Sequence, residues 1–312
     1  MTMRAAVIRQ DGKLPELMEF AEPQAAAGCS LIRVTAGGVG SSDVQRAAGV
    51  FGPSTGDYVV GGEGVGLLAS GERVYFGHAV PPHGSWAERT IVPDAETWAI
   101  PDGVSDALAI AVGISGTGAL IPLEEARIQK GENVLILGAT GPVGQIGLQM
   151  AKLLGAGRVV AAARDAAALA TLKQRGIADE IVQIGTGDDL AALREVAGDG
   201  FNVVLDIVYG APAEAAMRAT APGARMMSIG IQAGPTVTLS LRDLVFRSHI
   251  GVGTGQRPAA ERKAAFDRLI AHAARGEIMV DSLSFPLEQA AEAWAAQSGR
   301  PHAKIYVVPN AG

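Results

Sequence analysis

Apolar residues are distributed differently before and after residue 115. In the first part, glycine-rich turns separate short β-type runs, at 31–36, 58–60, 73–76 and 87–92. Short strands joined by such turns are typical of an irregular β-rich unit. From Gly131 onward, continuous apolar runs alternate with helical patterns. This alternation predicts a parallel sheet covered by helices on both faces.

The second part of the chain can be divided into individual elements. The apolar runs predict strands at 133–138, 158–163, 201–208 and 224–230, and the patterns between them predict helices at 142–155, 165–176 and 211–221. A long helix at 258–277 and a strand at 304–309 complete the chain. Within 142–155, apolar side chains recur every three or four residues, which predicts one buried helix face.

Composition limits the class of protein. A chain of 312 residues suggests two domains, and 48% apolar with 19% charged residues favours a large buried core. The net charge of −6 argues against a nucleic-acid partner. The single cysteine, Cys29, excludes an intramolecular disulfide. The start of the chain does not resemble a signal peptide, and no apolar run approaches about 18 residues, so we expect a cytoplasmic protein without membrane contact.

The stretch "LILGATGPVGQIG" predicts a dinucleotide site. Its glycines, Gly138, Gly141 and Gly144, follow a predicted strand and open a predicted helix. In that context Gly141 lets a pyrophosphate approach the backbone of Thr140–Val143, and Gly144 lets the helix pack closely on the sheet. The helix N-terminus also supplies free N–H groups and the positive end of its dipole.

The end of the next strand predicts which cofactor binds. An NAD site usually has a carboxylate there, but this chain has Ala163, followed by Arg164. A guanidinium can bind a 2′-phosphate with two hydrogen bonds, which favours NADPH. Two alternatives stay open at this point. Asp165 could still reach the ribose, or Arg164 could be only a solvated surface residue.

Several further motifs, taken together, resemble the medium-chain dehydrogenase/reductase superfamily, on its zinc-independent, quinone oxidoreductase-like side. The resemblance covers nearly the whole chain and is carried by 37–49, 61–66, 71–76, 84–93, 100–105, 129–156, 202–210, 221–230 and 302–307. It implies an α/β fold with a doubly wound Rossmann sheet at 116–251. It also implies a GroES-like β-rich catalytic domain formed by 1–115 and 252–312, with the substrate in the cleft between the domains.

The resemblance further implies a set of cofactor contacts and an assembly. Expected contacts besides Arg164 are Thr140, Gly141, Pro142, Val143, Val208, Tyr209, Ile229, Gly230, Gly251, Val252 and Lys304. Lys304 matches a basic residue that reaches the pyrophosphate in the family. Family members are usually homodimers joined at the edge of the Rossmann sheet, so we expect a homodimer here.

Zinc-dependent relatives bind their metal at three positions that hold Gly40, Gly62 and Val112 in this chain. Because none of these residues has a ligating side chain, no metal is expected. His78, His83 and Glu63 do not show a convincing ligand spacing either. Without a Lewis acid, the reduction of a conjugated C=C or a quinone is favoured, since charge then delocalises onto oxygen.

Ser42 is the candidate proton donor, because it matches the hydroxyl that passes a proton in zinc relatives. It could equally cap the helix that follows it. Asp43 and Asp206 are interpreted as structural carboxylates. We therefore expect an NADPH-dependent reductase of a small quinone or enone. A metal-free ketone or aldehyde reductase and a non-catalytic NADPH-binding protein remain as alternatives.

Overall fold

The structure is a computed structural model that describes residues 1–10, 12–52 and 54–309. The chain forms two compact units. The first consists of Met1–Ile114, Pro258–Gly276 and Val280–Gly312, and the second of Ser115–Arg257 and Glu277–Met279. The predicted Rossmann domain ends at residue 251. In the structure the second unit runs on to Arg257, and the N–H of Val252 still donates to Ser228 O of its sheet, 2.9 Å away.

Strands and helices alternate along most of the chain. In chain order, the strands are β1 Thr2–Ile8, β2 Glu16–Ala21, β3 Cys29–Val39, β4 Tyr58–Val59, β5 Glu63–Leu67, β6 Arg73–Phe76, β7 Arg89–Pro93, β8 Thr97–Ala99, β9 Asn133–Leu137, β10 Arg158–Ala163, β11 Glu180–Gln183, β12 Phe201–Asp206, β13 Thr220–Ser228, β14 Ser248–Gly251, β15 Ser282–Pro286 and β16 Lys304–Val308. The α-helices are α1 Ser41–Ala47, α2 Asp106–Ile110, α3 Thr117–Glu125, α4 Pro142–Leu153, α5 Ala166–Gln174, α6 Asp189–Ala197, α7 Gly210–Arg218, α8 Leu241–Leu244, α9 Ala259–Ala274 and α10 Ala290–Ser298.

The first unit is β-rich, as the GroES-like expectation requires. A small sheet has the order β2-β1-β4, and a larger one has the order β15-β16-β3-β5-β6-β8, with β7 also pairing with β3. Apart from the parallel pair β15–β16, the pairings are antiparallel. Trp86 and Trp294 belong to one hydrophobic core cluster of this unit, with their rings edge to face at 6.3 Å.

The second unit has a six-stranded parallel sheet in the order β11-β10-β9-β12-β13-β14. Numbered from β9, this is the strand order 3-2-1-4-5-6 of a Rossmann fold, so the predicted fold class is confirmed. Leu135, Val160 and Val204 from its strands are fully buried, because helices cover both faces of a parallel sheet. The strands β11 and β14 and the helices α6 and α8 of this unit were not predicted from the sequence.

The helix after the glycine turn is more buried than expected. Its apolar spacing predicted one buried face, but all residues from Gly144 to Ala151 are buried, and Leu153 is exposed. The helix packs against α3 and against β9 and β10. Gly147 also lets α4 approach β12, since an added Cβ would lie 2.9 Å from a methyl group of Leu205 on that strand. Small residues therefore let a helix be buried on several sides at once.

One helical stretch was not foreseen. Residues Asp106–Glu125 run from α2 through a π-helical segment, Ala111–Gly116, into α3. By length and composition it could cross a membrane, with a mean hydropathy of 1.6, but 78% of that window is buried inside the protein. Burial of this kind is typical of a core helix. Within the π-helical segment, Gly113 has non-helical dihedral angles.

Candidate functional site

The strand order of the second unit reverses between β9 and β12. In open parallel sheets, ligands bind beyond the carboxyl ends of the strands at such a switch point. Here the turns after the two strands touch, because a Cβ on Gly138 would lie 2.9 Å from Val208 Cγ1. Gly138 has a φ of +91°, a backbone conformation that favours glycine.

The turn after β9 leads into α4 as the motif predicted. Gly141 is the N-cap, Pro142 is the first helical residue and Thr140 is buried beside them. A Cβ on Gly141 would meet no atom within 4 Å, so the backbone there is open to a ligand. A Cβ on Gly144 would lie 2.5 Å from Ala139 Cα, which confirms that this glycine allows close packing of the helix.

Asp206 fixes the turn after β12. Its fully buried carboxylate accepts hydrogen bonds from Val208 N at 3.0 Å, Tyr209 N at 2.8 Å and Ser228 Oγ at 2.7 Å. Burial raises the pKa of Asp206, while these hydrogen bonds oppose the rise. The prediction of a structural carboxylate is confirmed. Its role is to position Val208 and Tyr209 at the sheet edge.

The ends of β13 and β14 lie at the same edge. Ile229 N donates to Asp206 O at 2.9 Å, and a Cβ on Gly230 would lie 2.0 Å from Ile207 O. No side chain fits at Gly230 without moving the backbone. Gly251 ends β14 and is exposed, and the Val252 side chain is buried.

Arg164 directly follows β10, and its side chain is exposed. Among the described residues, no carboxylate forms an ion pair with it. The neighbouring Asp165 is the N-cap of α5 and accepts from Ala168 N at 3.0 Å. The carboxylate that could have reached a ribose is therefore engaged in capping a helix, which weakens that alternative.

The expected metal position in the first unit has no ligand set. Gly40 is the N-cap of α1, Gly62 precedes β5 and Val112 is buried in the π-helical segment. Within the described part of the chain, no three His, Cys, Asp or Glu side chains are grouped to hold a metal ion. The residues present do not fit a catalytic zinc, which needs about three protein ligands.

A buried ion pair lies beside that position. Lys304 and Glu63 are 2% and 3% exposed, and Lys304 Nζ lies 2.6 Å from Glu63 Oε1. The other carboxylate oxygen accepts from Tyr75 Oη at 2.7 Å and from Ile114 N at 2.9 Å. The expectation that Lys304 binds the pyrophosphate is therefore corrected, because its ammonium group is buried against Glu63.

Ser42 is exposed and is the second residue of α1. It does not cap this helix, because Gly40 is the N-cap and Asp43 Oδ2 accepts from Gly40 N at 2.8 Å. The structural role expected of Asp43 is thus confirmed. Burial raises the pKa of Asp43 to about 6, although the Gly40 hydrogen bond and Lys304 oppose the shift. The role of Ser42 as a proton donor stays a prediction.

The first unit contains a second charged cluster, which was not predicted from the sequence. Arg262 and Glu96 are both more than nine-tenths buried, and the guanidinium donates to both carboxylate oxygens. Arg262 Nη1 also donates to His78 Nδ1 at 2.8 Å. These residues are up to 184 positions apart, so no local motif could have revealed the cluster.

The sequence-predicted site residues thus divide between the two units. The Rossmann sheet edge brings together the turn around Gly141, the residues after β12 and β13, and Val252, with Arg164 at the end of β10. Ser42 and Lys304 belong to the first unit. The chain therefore combines one β-rich unit with one Rossmann unit that carries the glycine turn after β9.

Comparisons with known proteins agree with this architecture. The family described as "Zinc-binding dehydrogenase" matches residues 142–271, a range that contains none of the three metal positions. A mycocerosic acid synthase-like polyketide synthase from Mycobacterium tuberculosis is 32% identical over 80% of this chain, and mouse prostaglandin reductase-3 is 31% identical over 68%. The chain spans only 12% and 58% of these relatives, respectively.

Solved structures share the fold over nearly the full length. A quinone oxidoreductase from Pseudomonas syringae has a TM-score of 0.87 at 24% identity, covering 99% of this chain and 100% of its own. A mycobacterial protein complexed with NADPH also has a TM-score of 0.87, at 22% identity, covering 98% and 100%. In its motifs, its sequence relatives and its fold, the chain is similar to medium-chain dehydrogenase/reductases of the quinone oxidoreductase-like type.

Proposed function

We propose that this protein is an NADPH-dependent oxidoreductase that reduces a quinone or an enone-type C=C bond in a small molecule, without a metal ion. The observation that carries the cofactor assignment is Arg164. Its exposed guanidinium follows β10, where a carboxylate would select NAD, and the adjacent Asp165 caps α5. The NADPH bound to the mycobacterial structure of the same fold supports this choice.

The residues at the Rossmann edge fit a dinucleotide. Open space around Gly141 and the N-terminus of the twelve-residue helix α4 suit the pyrophosphate. Pro142, the first residue of α4, has no N–H group. The backbone N–H groups of Val143 and Gly144 could therefore donate hydrogen bonds to a bound anion. Arg164 would hold the 2′-phosphate. Val208, Tyr209, Ile229, Gly230, Gly251 and Val252 would line the nicotinamide end. When bound, NADPH supplies the hydride.

The substrate class follows from the residues at the metal position. Gly40, Gly62 and Val112 provide no metal ligand. These positions therefore cannot hold a zinc ion that would polarise a simple alcohol or ketone. A quinone or enone needs less electrophilic assistance, because the incoming charge delocalises onto its oxygen. The names of the prostaglandin reductase and quinone oxidoreductase relatives agree with such acceptors.

We further propose that the protein is a homodimer joined at the β14 edge of the Rossmann sheet. β14 is an outer strand of that sheet, and Ile250 on it is 44% exposed. Leu241 and Phe246, which precede the strand, are 78% and 80% exposed. An outer strand with large apolar side chains nearby is a surface that a second copy can cover.

A substrate screen tests the proposed function. Oxidation of NADPH and of NADH would be followed with quinones, enones and their saturated ketones, while metal content is measured on the same sample. We expect NADPH oxidation with quinones or enones in metal-free protein. Turnover of saturated ketones alone would favour a carbonyl reductase, and tight NADPH binding without turnover would favour a binding protein. Activity that depends on a stoichiometric transition metal would overturn the proposal.

A further inference from the structure

His78 lies next to the position that binds zinc in metal-dependent relatives. It follows β6, and the next residue, Ala79, donates its N–H to Gly62 O at 3.1 Å. Gly62 is the residue that stands where those relatives have a metal-binding histidine. An imidazole is therefore present in the neighbourhood where zinc would otherwise act on the substrate.

The buried Arg262–Glu96 ion pair fixes the orientation of the His78 imidazole. Arg262 Nη1 donates to Glu96 Oε2 and to His78 Nδ1, each at 2.8 Å. Because the pair is itself buried, the guanidinium cannot turn away without losing its hydrogen bonds to the carboxylate. The Nδ1 atom of His78 is therefore held against the Arg262 guanidinium, whose position the fold fixes.

This contact also decides which ring nitrogen carries the proton. A guanidinium can only donate hydrogen bonds, so the Nδ1 atom 2.8 Å from it must accept. Glu96 Oε2, the acceptor that could favour a proton on Nδ1, is farther away at 3.4 Å. The neutral ring therefore carries its hydrogen on Nε2, as a donor pointing away from the ion pair.

Three further observations agree with a hydrogen-bond donor to a bound ligand. The His78 side chain is 42% exposed, and Nε2 has no hydrogen-bond partner among the residues that the structure describes. Burial and the positive charge of Arg262 lower the pKa of His78, which keeps the ring neutral. His78 also has a φ of 55°, a left-handed conformation that is uncommon for a non-glycine residue and concentrated at functional sites.

We propose that the Nε2–H group of His78 donates a hydrogen bond to the oxygen of the quinone or enone and stabilises the negative charge that gathers there. This assignment rests on the proposed function. When hydride adds to the β-carbon of an enone, the π electron pair of the C=C bond moves toward the carbonyl oxygen. His78 keeps its proton throughout, and the α-carbon takes a proton from water. The imidazole thus takes the place of a Lewis acid.

Kinetic variants test this role directly. With 1,4-benzoquinone and trans-2-hexenal as acceptors, His78→Phe should lower kcat/KM for the acceptor about 10- to 100-fold and leave KM for NADPH unchanged. His78→Gln, which keeps an N–H donor, should lose less than about tenfold. His83→Gln is the matched control on the same loop, where the His83 ring contacts the Ala21 carbonyl and Phe20, and it should stay near wild type. Near-wild-type acceptor kinetics in His78→Phe would overturn the proposal.

Long-range ¹H–¹⁵N NMR of the five histidines gives a readout independent of turnover, with the His78 signal assigned from His78→Gln. We expect the neutral Nε2–H tautomer at pH 7, and a shift of that signal when 4-nitrophenolate is added as a mimic of an enolate oxygen. If the wild type reduces neither acceptor, the proposed function fails, and this titration alone decides the role of His78. An Nδ1–H tautomer, or no shift at millimolar 4-nitrophenolate, would refute it.

Discussion

Lys304 Nζ lies 2.6 Å from Glu63 Oε1, and the two residues, 241 positions apart, are almost completely buried. Two charges removed from water stabilise a fold only as a hydrogen-bonded pair, and removing one of them leaves the other uncompensated. The partners of Glu63 are Lys304 on β16, Tyr75 on β6 and the backbone of Ile114, so its carboxylate ties three parts of the first unit together.

We therefore predict that Lys304→Met lowers the free energy of unfolding by about 3–5 kcal/mol in urea titrations. The double variant Glu63→Gln, Lys304→Met should lose less than the sum of the two single changes, because neither charge is then left unpaired. Lys173→Met is the control, since the Lys173–Glu180 pair is exposed and its loss should hardly change the free energy of unfolding. Equal losses for the buried and exposed pairs would contradict the assignment.

The two glycines at the start of α4 should respond differently to alanine. Gly141→Ala places a methyl group in open space at a φ of −78°, so the melting temperature should change little. The NADPH dissociation constant should rise at least about tenfold, because the methyl group keeps the pyrophosphate from the backbone. Calorimetry measures the melting temperature, and fluorescence titration measures the NADPH dissociation constant. Unchanged affinity in Gly141→Ala would place the pyrophosphate elsewhere.

Gly144→Ala provides the contrast. Its methyl group would lie 2.5 Å from Ala139 Cα, and a backbone atom cannot yield as a flexible side chain can. We expect a loss of at least about 1–3 kcal/mol in the free energy of unfolding, the usual cost of overpacking. A fully stable Gly144→Ala protein would show that α4 can shift away from the sheet.

Arg164 should decide between the two nicotinamide cofactors. In Arg164→Ala, KM for NADPH should rise about 10- to 100-fold while KM for NADH changes little, because only NADPH loses a charge-assisted contact. Steady-state kinetics with both cofactors measure the ratio. Arg175→Ala is a suitable control, since Arg175 is an exposed arginine at the other end of α5. An unchanged NADPH/NADH ratio in Arg164→Ala would remove the phosphate role.

Asp43 predicts a pH dependence of stability. Its pKa of about 6 in the folded protein lies above the ordinary value of 3.8, because burial disfavours the charged form. Between these two values the folded protein holds a proton that the unfolded chain has released, so this group favours folding more as the pH falls through 6. Above pH 6 the ionised carboxylate makes the folded protein less stable.

Asp43→Asn should remove that dependence and keep an oxygen for the Gly40 N–H group. At pH 7.5 we expect the variant to be more stable by about 1–2 kcal/mol, since one pKa unit corresponds to about 1.4 kcal/mol and the side chain is partly accessible to solvent. The difference in the free energy of unfolding between Asp43→Asn and the wild type should approach zero near pH 4. Urea titrations at several pH values measure it, and a variant less stable than wild type at pH 7.5 would contradict the cause given for the shift.

The proposed dimer can be tested without disturbing either core. Leu241→Glu places a charge on the exposed surface beside β14 and should convert the protein from twice the mass of one chain to a single chain in light scattering. Leu14→Glu changes a comparably exposed leucine of the first unit, 66% against 78%, and should leave the assembly intact. A wild-type protein that is already monomeric would refute the dimer proposal.

Local sequence patterns were sufficient to establish the Rossmann unit and its glycine turn. Continuous apolar runs, helical spacing and the three glycines after β9 act over a few residues, so they placed β9, α4 and β10 and explained Gly144. With the metal positions taken from the family resemblance, residue type alone showed that Gly40, Gly62 and Val112 provide no metal ligand.

Which charged side chains are free and which are paired emerged only from the folded chain. Lys304 was expected at the pyrophosphate and is buried against Glu63, while His78 is held by Arg262 from 184 positions away. The free energy of such pairs depends on burial and distance, which arise when distant strands and helices pack together. Sequence spacing does not contain that information, so the contacts of these ionisable groups could be identified only after the distant elements had been placed in space.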